Sequence, residues 1–262
     1  MSVEKRKIAI IEDDPWLSPY SHDIQSRMDR FLNAKKEIEN VSGTIESFAL
    51  AYKYFGFNYD KTKSGWWYRE WAPKAHALFL IGEFNGWNRE SHPLEKGEGG
   101  IWEIFLADTN DGPVLKHESL VKIHIKSNNG NHDRIPAYIT RAVQDENTKV
   151  FSGQIWNPEK PFKWSDKDFL LNQREMPLIY EVHIGMAQEK EGVGTYKEFA
   201  DNVLPRINNL GYNTIQIMAV AEHPYYGSFG YHVSNYFAPS SRFGTPDELK
   251  YLVNAAHKLG IA

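Results

Sequence analysis

Two apolar runs near the carboxyl end constrain this chain more than anything else in it. Pro177-Leu178-Ile179-Tyr180-Glu181-Val182-His183-Ile184-Gly185 and Thr214-Ile215-Gln216-Ile217-Met218-Ala219-Val220 have strand length and strand composition. Between them Tyr196, Phe199, Val203, Leu204, Ile207 and Leu210 recur at helical spacing, and Gly211 ends the pattern. A second helix is expected from Pro246 to about Leu259, after a long aromatic loop. Parallel strands cannot be joined by a hairpin; they need a crossover, usually a helix. Strand–helix–strand–helix is therefore the βα repeat of a parallel sheet or barrel. The chain ends at Gly260-Ile261-Ala262, where the repeat calls for another strand, so it reads as cut there.

The preceding region, 61–161, follows a different rule. Trp66–Trp71, Ala77–Ile81, Ile101–Leu106 and Leu120–Ile125 are short, aromatic or β-branched, and partly alternating. Asn85-Gly86 between two of them is a strong turn signal. Strands at this spacing predict an antiparallel, immunoglobulin-like β-sandwich. Residues 1–60 read as a helical segment: Ile24, Met28, Phe31, Leu32 and Ile38 recur among charged residues, and Ser42-Gly43 breaks the run before a short helix from Thr44 to about Phe55. The expected organisation is 1–60 helical, 61–161 sandwich, and 162–262 the first two βα units of a barrel.

Composition narrows the function classes. The 262 residues carry a net charge of −4 with no basic block, which argues against nucleic acid. No cysteine is present, so a disulfide scaffold and a thiolate zinc site are excluded. None of the ten His falls at a spacing that reads as a metal site, so no metal or cofactor is expected. No apolar run reaches the roughly 20 residues of a membrane span, and the amino terminus lacks a signal-peptide core. A cytoplasmic protein that does not engage membranes is the expectation. Eight Trp and fourteen Tyr are the informative excess. Such rings serve either a rich sandwich core or the apolar C–H faces of sugars, and composition alone favours the core.

Three segments carry a resemblance. Arg69-Glu70-Trp71-Ala72-Pro73 with Gly82-Glu83-Phe84-Asn85-Gly86-Trp87-Asn88 is similar to carbohydrate-binding module family 48. Tyr180-Glu181-Val182-His183-Ile184-Gly185 resembles an opening barrel strand. Ala221-Glu222-His223-Pro224-Tyr225-Tyr226-Gly227-Ser228-Phe229-Gly230-Tyr231-His232, then Phe237 to Pro246, resembles the loop after the second barrel strand in 1,4-α-glucan branching enzymes. These belong to the α-amylase superfamily, glycoside hydrolase family 13. The module motif alone is shared with isoamylases and kinase regulatory subunits, whereas the third segment is highly specific and closest to the eukaryotic-type enzymes.

The resemblance implies a multi-domain chain and α-glucan partners: glycogen, amylose and malto-oligosaccharides. It implies that Trp71, Ala72, Pro73 and Gly100 line an oligosaccharide groove, that Trp87 is a stacking platform with Lys122 as its hydroxyl donor, and that Tyr231 stacks on sugar beside the scissile bond. Core packing competes with these roles for Trp71 and is preferred for Trp102. Tyr225, Tyr226 and Phe229 are divided between cleft lining and loop stiffening. Glu181 and His183 lie on one strand face and are expected to form a hydrogen-bonded barrel interior rather than an acid–base pair.

No catalytic residue is expected within the chain. The nucleophilic Asp, the acid/base Glu and the stabilising Asp of the family belong beyond Ala262, and neither Glu222 nor Asp247 matches their motifs. The intact parent would be a glycosyltransferase that cleaves α-1,4 bonds and forms α-1,6 branches by retaining double displacement, while this chain alone would be inactive. The alternatives are a non-catalytic glucan-binding protein and an isoamylase-type debranching hydrolase. Two strands of an eight-stranded barrel leave ladder groups open, so residues after about Phe162 are expected to be mobile, aggregated or paired with another chain.

Overall fold

A computed structural model describes residues 9–169, 176–218 and 220–262. Ala219, expected inside the second apolar strand, lies outside the described residues. The chain forms two compact units, one up to Tyr54 and one from Phe55 onward.

The first unit is helical, as its periodicity predicts. Helix α1 (Ala9–Asp13) gives way to a 3-10 turn, Pro15–Tyr20, whose first amide is capped when Trp16 N donates to Asp14 Oδ1 at 3.1 Å. Helix α2 (Ser21–Ser42) stops at Gly43, which takes φ 81°. Thr44 then caps α3 (Ile45–Phe48) by accepting from Ser47 N. The helix expected from Thr44 to Phe55 is split into α3 and a 3-10 turn at Ala51–Lys53.

The second unit opens with the sandwich. Strand β1 (Gly56–Asp60) pairs antiparallel with β2 (Gly65–Trp71), so the sheet begins within the segment expected to be helical. Only five residues long and directly following helix, β1 offers too few alternations to be told from a helix end. The remaining strands are β3 (Ala77–Gly82), β4 (Glu95–Lys96), β5 (Ile101–Ala107), β6 (Leu120–Ser127), β7 (Gly130–Arg134), β8 (Ala142–Gln144) and β9 (Phe151–Gln154). One sheet has the order β1-β2-β5-β4; the other has β3-β6-β9-β8, with β7 added beside β6. Their inner faces meet in a core that includes Trp66, Tyr68, Leu78, Leu80, Trp102, Leu106, Val121 and Ile123. Tyr68 is stacked by Phe57 at 4.5 Å.

The βα region follows. Strands β10 (Ile179–His183) and β11 (Thr214–Met218) pair in parallel, Ile179 opposite Thr214 and His183 opposite Met218. The crossover is helical but not a regular α-helix. Helix α4 (Tyr196–Glu198) passes through a wider π turn at Phe199–Val203 into α5 (Leu204–Asn209). Pro205 has no N–H to give the carbonyl one turn back, and Leu204 N donates to Phe199 O instead. Tyr196, Phe199, Leu204 and Ile207 are buried against Val182, Ile184, Phe243 and the inner face of α6 (Pro246–Lys258), whereas Leu210 of the expected apolar stripe is 69% exposed. Both helical starts are capping boxes, Thr195 with Glu198 and Thr245 with Glu248. A short antiparallel pair, β12 (Ala221–Glu222) and β13 (Asn235–Pro239), closes the base of the aromatic loop.

Trp102 and Trp71 separate the two uses of an indole. Trp102 is 4% exposed and donates to Ala72 O at 3.0 Å, while Trp71 is 60% exposed. Trp102→Ala should cost about 3–5 kcal/mol in urea unfolding of the sandwich. Trp71→Ala should cost less than about 1 kcal/mol. Equal losses would mean that the two rings share one structural role.

Candidate functional site

Alternation along β2 sends Trp66, Tyr68 and Glu70 into the sandwich and Trp67, Arg69 and Trp71 to its other face. Trp71 ends the strand, with its indole fixed by donation of Nε1–H to Gly99 O at 3.0 Å. Ala72 N donates to Gly100 O at 2.9 Å, which joins the Trp71-Ala72-Pro73 corner to the Gly99-Gly100 turn. Gly100 adopts φ 82°, and a Cβ placed there would lie 2.6 Å from Pro73 Cα. Only glycine permits this approach. Trp71, Ala72, Pro73 and Gly100, distant in sequence, thus form one continuous surface.

Beside that surface opens a cleft of about 400 Å³ lined by Phe55, Glu70, Trp71, Gly99, Ile101, Ala137 and Tyr138. Tyr138 stacks between Phe55, at 5.1 Å, and Phe237 of β13, at 4.5 Å. Glu70 is buried, yet its oxygens are occupied. Oε2 accepts from Tyr68 Oη and from Ala137 N, both at 2.9 Å, and Oε1 accepts from Trp71 N at 3.1 Å. Burial pushes the Glu70 carboxyl above its ordinary value, and the three donors oppose that shift without cancelling it. The cleft therefore offers aromatic walls and a single carboxylate. That set suits a ring-shaped, hydroxyl-rich ligand rather than bond cleavage. Phe55, Glu70, Ile101 and Tyr138 carry no sequence signal for this cleft; a glutamate at an inward position of a strand is the nearest to one.

Trp87 and Lys122 belong to a different place, at the end of β3 and on β6 of the other sheet. Asn85 organises the turn: its Oδ1 accepts from Gly82 N at 3.0 Å, and Nδ2 reaches Leu80 O at 3.1 Å. Trp87 N donates to Gly82 O at 2.8 Å. Gly86 and Trp87 both take left-handed backbone, φ 60° and 61°. Trp87 is half-buried, as is Lys122, whose residue pairs with Ile81 beside Gly82. Neither lines the Trp71 cleft.

Tyr231 lies in the loop after β11 and is 81% exposed. The base of this loop is stapled. Fully buried Glu222 accepts from Ser241 N at 2.7 Å and from His223 N at 3.1 Å, and Arg242 donates to His223 O at 3.0 Å and to Pro224 O at 3.2 Å. Tyr226 and Phe229 pack edge-on against His183, at 5.9 and 6.0 Å, so these two stiffen the loop while Tyr225 is 64% exposed. The hydrogen-bonded interior expected of Glu181 and His183 is corrected. Glu181 is exposed and meets Gln216 at 3.4 Å, and neither ring nitrogen of His183 has a partner among the described residues. Its neighbours are rings, and burial followed by the nearby His223 lowers its pKa.

Residues 54–139 match the family model described as Carbohydrate-binding module 48 (Isoamylase N-terminal domain). Over 254 residues the chain is 47% identical to a 1,4-alpha-glucan-branching enzyme of Dictyostelium discoideum, covering 96% of this chain and 37% of that protein. The 1,4-alpha-glucan-branching enzyme of Solanum tuberosum is 44% identical, with 99% and 30% covered. An Arabidopsis thaliana relative named chloroplastic/amyloplastic is also 44% identical, with 96% and 31% covered. The chain thus spans about a third of the length of the curated relatives it matches. Among solved structures, a Group B Streptococcus pullulanase in complex with maltotetraose has TM-score 0.62 at 21% identity, covering 79% of this chain and 32% of that one. The catalytic module of a glycogen-degrading pneumococcal virulence factor has TM-score 0.58 at 19% identity, with 79% and 36% covered. These two likenesses are of fold.

Removing the buried carboxylate should be felt both in the fold and in the cleft. Glu70→Ala strands a buried hydroxyl and two amides, and should lower stability by about 2–4 kcal/mol in urea. The raised folded pKa of Glu70 gives stability that is full below its unfolded value and falls as pH rises through the folded value. Glu70→Gln should flatten that part of a stability profile taken from pH 4 to pH 8. An unchanged slope would show that Glu70 does not titrate differently in the two states.

Proposed function

We propose that this homologue of the 1,4-α-glucan-branching enzymes, with its carbohydrate-binding module 48, captures α-1,4-glucan on the surface formed by Trp71, Ala72, Pro73 and Gly100. The observation that carries the reading is the exposed Trp71 ring, locked by its own N–H and standing at the mouth of an aromatic-walled cleft of about 400 Å³. A ring already fixed loses little freedom on binding, and a pyranose has apolar C–H faces to lay on it. Trp87 with Lys122 forms a second, smaller contact on the other sheet, so that a long polymer is held at two points.

In the intact parent, captured glucan would be cleaved at an α-1,4 bond and transferred to a 6-hydroxyl, with glycogen or starch as product. That double displacement needs two carboxylates about 5–5.5 Å apart, one nucleophilic and one acid/base. Among the described residues the two buried carboxylates, Glu70 and Glu222, are engaged by backbone donors and are not candidates for those parts. Tyr231 presents its ring at the carboxyl end of the parallel strands, where barrel enzymes build their catalytic face, and it would stack beside the scissile bond. A debranching hydrolase is the second reading, raised by the family model's description and disfavoured by the Tyr225–Tyr231 loop. The cytoplasm is the proposed compartment. No helix among the described residues is long and apolar enough to cross a membrane, and the plastid relative makes fractionation the relevant check.

Calorimetric titration with maltoheptaose tests the binding. Trp71→Ala should weaken it about tenfold and Trp87→Ala about threefold, the loss of one stacked ring each. Full retention of affinity in Trp71→Ala, with the sandwich folded, would refute the proposal. Iodine staining of amylose treated with the parent separates the two activities: branching weakens and shifts the colour, whereas debranching of a branched glucan deepens it.

A further inference from the structure

Trp87 is held where a bulky residue rarely sits. Its φ of 61° follows Gly86 at 60°, and left-handed backbone at a tryptophan persists only when its surroundings enforce it. The hydrogen bonds of Asn85 and the Trp87 N to Gly82 O bond fix the turn up to this point. Beyond it the Asn85 amide also reaches Asn88 O, Ser91 Oγ and His92 Nδ1, and His92 O accepts from Leu80 N of β3, while Arg89 carries a contact farther across the sheet. Arg89 donates to Asp133 of β7 through Nη2 at 2.6 Å and through Nε at 3.2 and 3.3 Å. Because β7 lies beyond β6, this arm crosses two strand spacings, roughly 10 Å of sheet. The same carboxylate is met from β6 by His124 Nδ1 at 2.7 Å, and His124 is the residue directly opposite Asp133 in the ladder. Lys122, two residues before His124, shares that face of the sheet.

We propose that Arg89, Asp133 and His124 form a brace that holds the Trp87 ring in glucan-binding position beside Lys122, Arg89 and Asp133 being positioning residues. The proposal rests on the reading of Trp87 as a glucan contact. Arg89 and then His124 hold the Asp133 carboxyl down at about 2, so the Arg89–Asp133 ion pair stays charged throughout the working pH range. The Arg89 side chain is 56% exposed, and an ion pair so open to water adds little to global stability. Its effect therefore falls on the local geometry of the loop. Asp133, one-quarter exposed, is clamped on both oxygens, which leaves the guanidinium one orientation.

The test uses the full chain in a Trp71→Ala background, which removes the larger contact. Titration with maltoheptaose should show that Arg89→Ala and Asp133→Asn each lose about threefold of the remaining affinity. Arg89→Lys should restore part of it, and the unfolding midpoint should stay unchanged. In a Trp87→Ala chain the Arg89→Ala change should have no further effect, because it acts through that ring. An additive loss there would overturn positioning in favour of direct sugar contact by Arg89. Amide exchange at residues 86–91, read without ligand, should speed up about tenfold in Arg89→Ala and Asp133→Asn. Unchanged exchange would overturn the brace itself. Faster exchange with no change in affinity would instead show that the brace holds the loop but that Trp87 is not a glucan contact.

Discussion

The Trp71 surface and the cleft beside it depend on the side-chain alternation of β2. The strand delivers Tyr68 and Glu70 to the interior and Trp71 to solvent within four consecutive residues. Because the period of a strand is two, a slip of one residue would bury Trp71 and expose Glu70. The register is held from both sides. Phe57 stacks on Tyr68 from β1, and Glu70 stands opposite Trp102 in the β5 ladder. Burying a carboxylate beside the aromatic core is costly unless its oxygens are satisfied. Here Tyr68, Trp71 and Ala137 satisfy them, so the groups that fix the strand also attach the Tyr138 loop to it.

The three surfaces assigned to glucan reach rigidity by different means. Trp71 is held by its own indole N–H on a strand end. Trp87 projects from a turn whose backbone is strained and externally braced. Tyr231 rides on a long loop stapled at its base by Glu222 and Arg242 and packed on His183 through Tyr226 and Phe229. A capture site gains affinity from rings fixed in advance, whereas a ring near a reacting bond must admit and release the chain.

Strands, helical starts and turns were legible where local chemistry decides them. Asn85-Gly86 predicts the turn it forms, and Thr195 with Glu198 and Thr245 with Glu248 mark the two capping boxes. The short strands β1, β4, β7, β8 and β9 were not, because two to five residues carry no usable period and their pairing is decided by partners far away in sequence. The same limit applied to the site. Trp71, Ala72, Pro73 and Gly100 were named through resemblance, but the cleft beside them is built by Phe55, Ile101 and Tyr138, which only tertiary packing brings there. The π turn at Phe199–Val203 was legible in principle, since Pro205 sits where a regular helix needs an N–H.

A carboxylate in or near a cleft is easily mistaken for an acid or a base. Glu70 and Glu222 show why burial alone is a poor guide. General acid–base work requires an oxygen that can reach the substrate proton, so a competent carboxylate keeps at least one lone pair or proton facing the ligand. Both oxygens of Glu70 and both of Glu222 accept from main-chain or hydroxyl donors that belong to the fold. Glu70 ties the Tyr138 loop to β2, and Glu222 ties together the two ends of the aromatic loop. Their oxygens are thus spent on structure, and what they contribute to the surfaces proposed for glucan is the shape of the loops beside them.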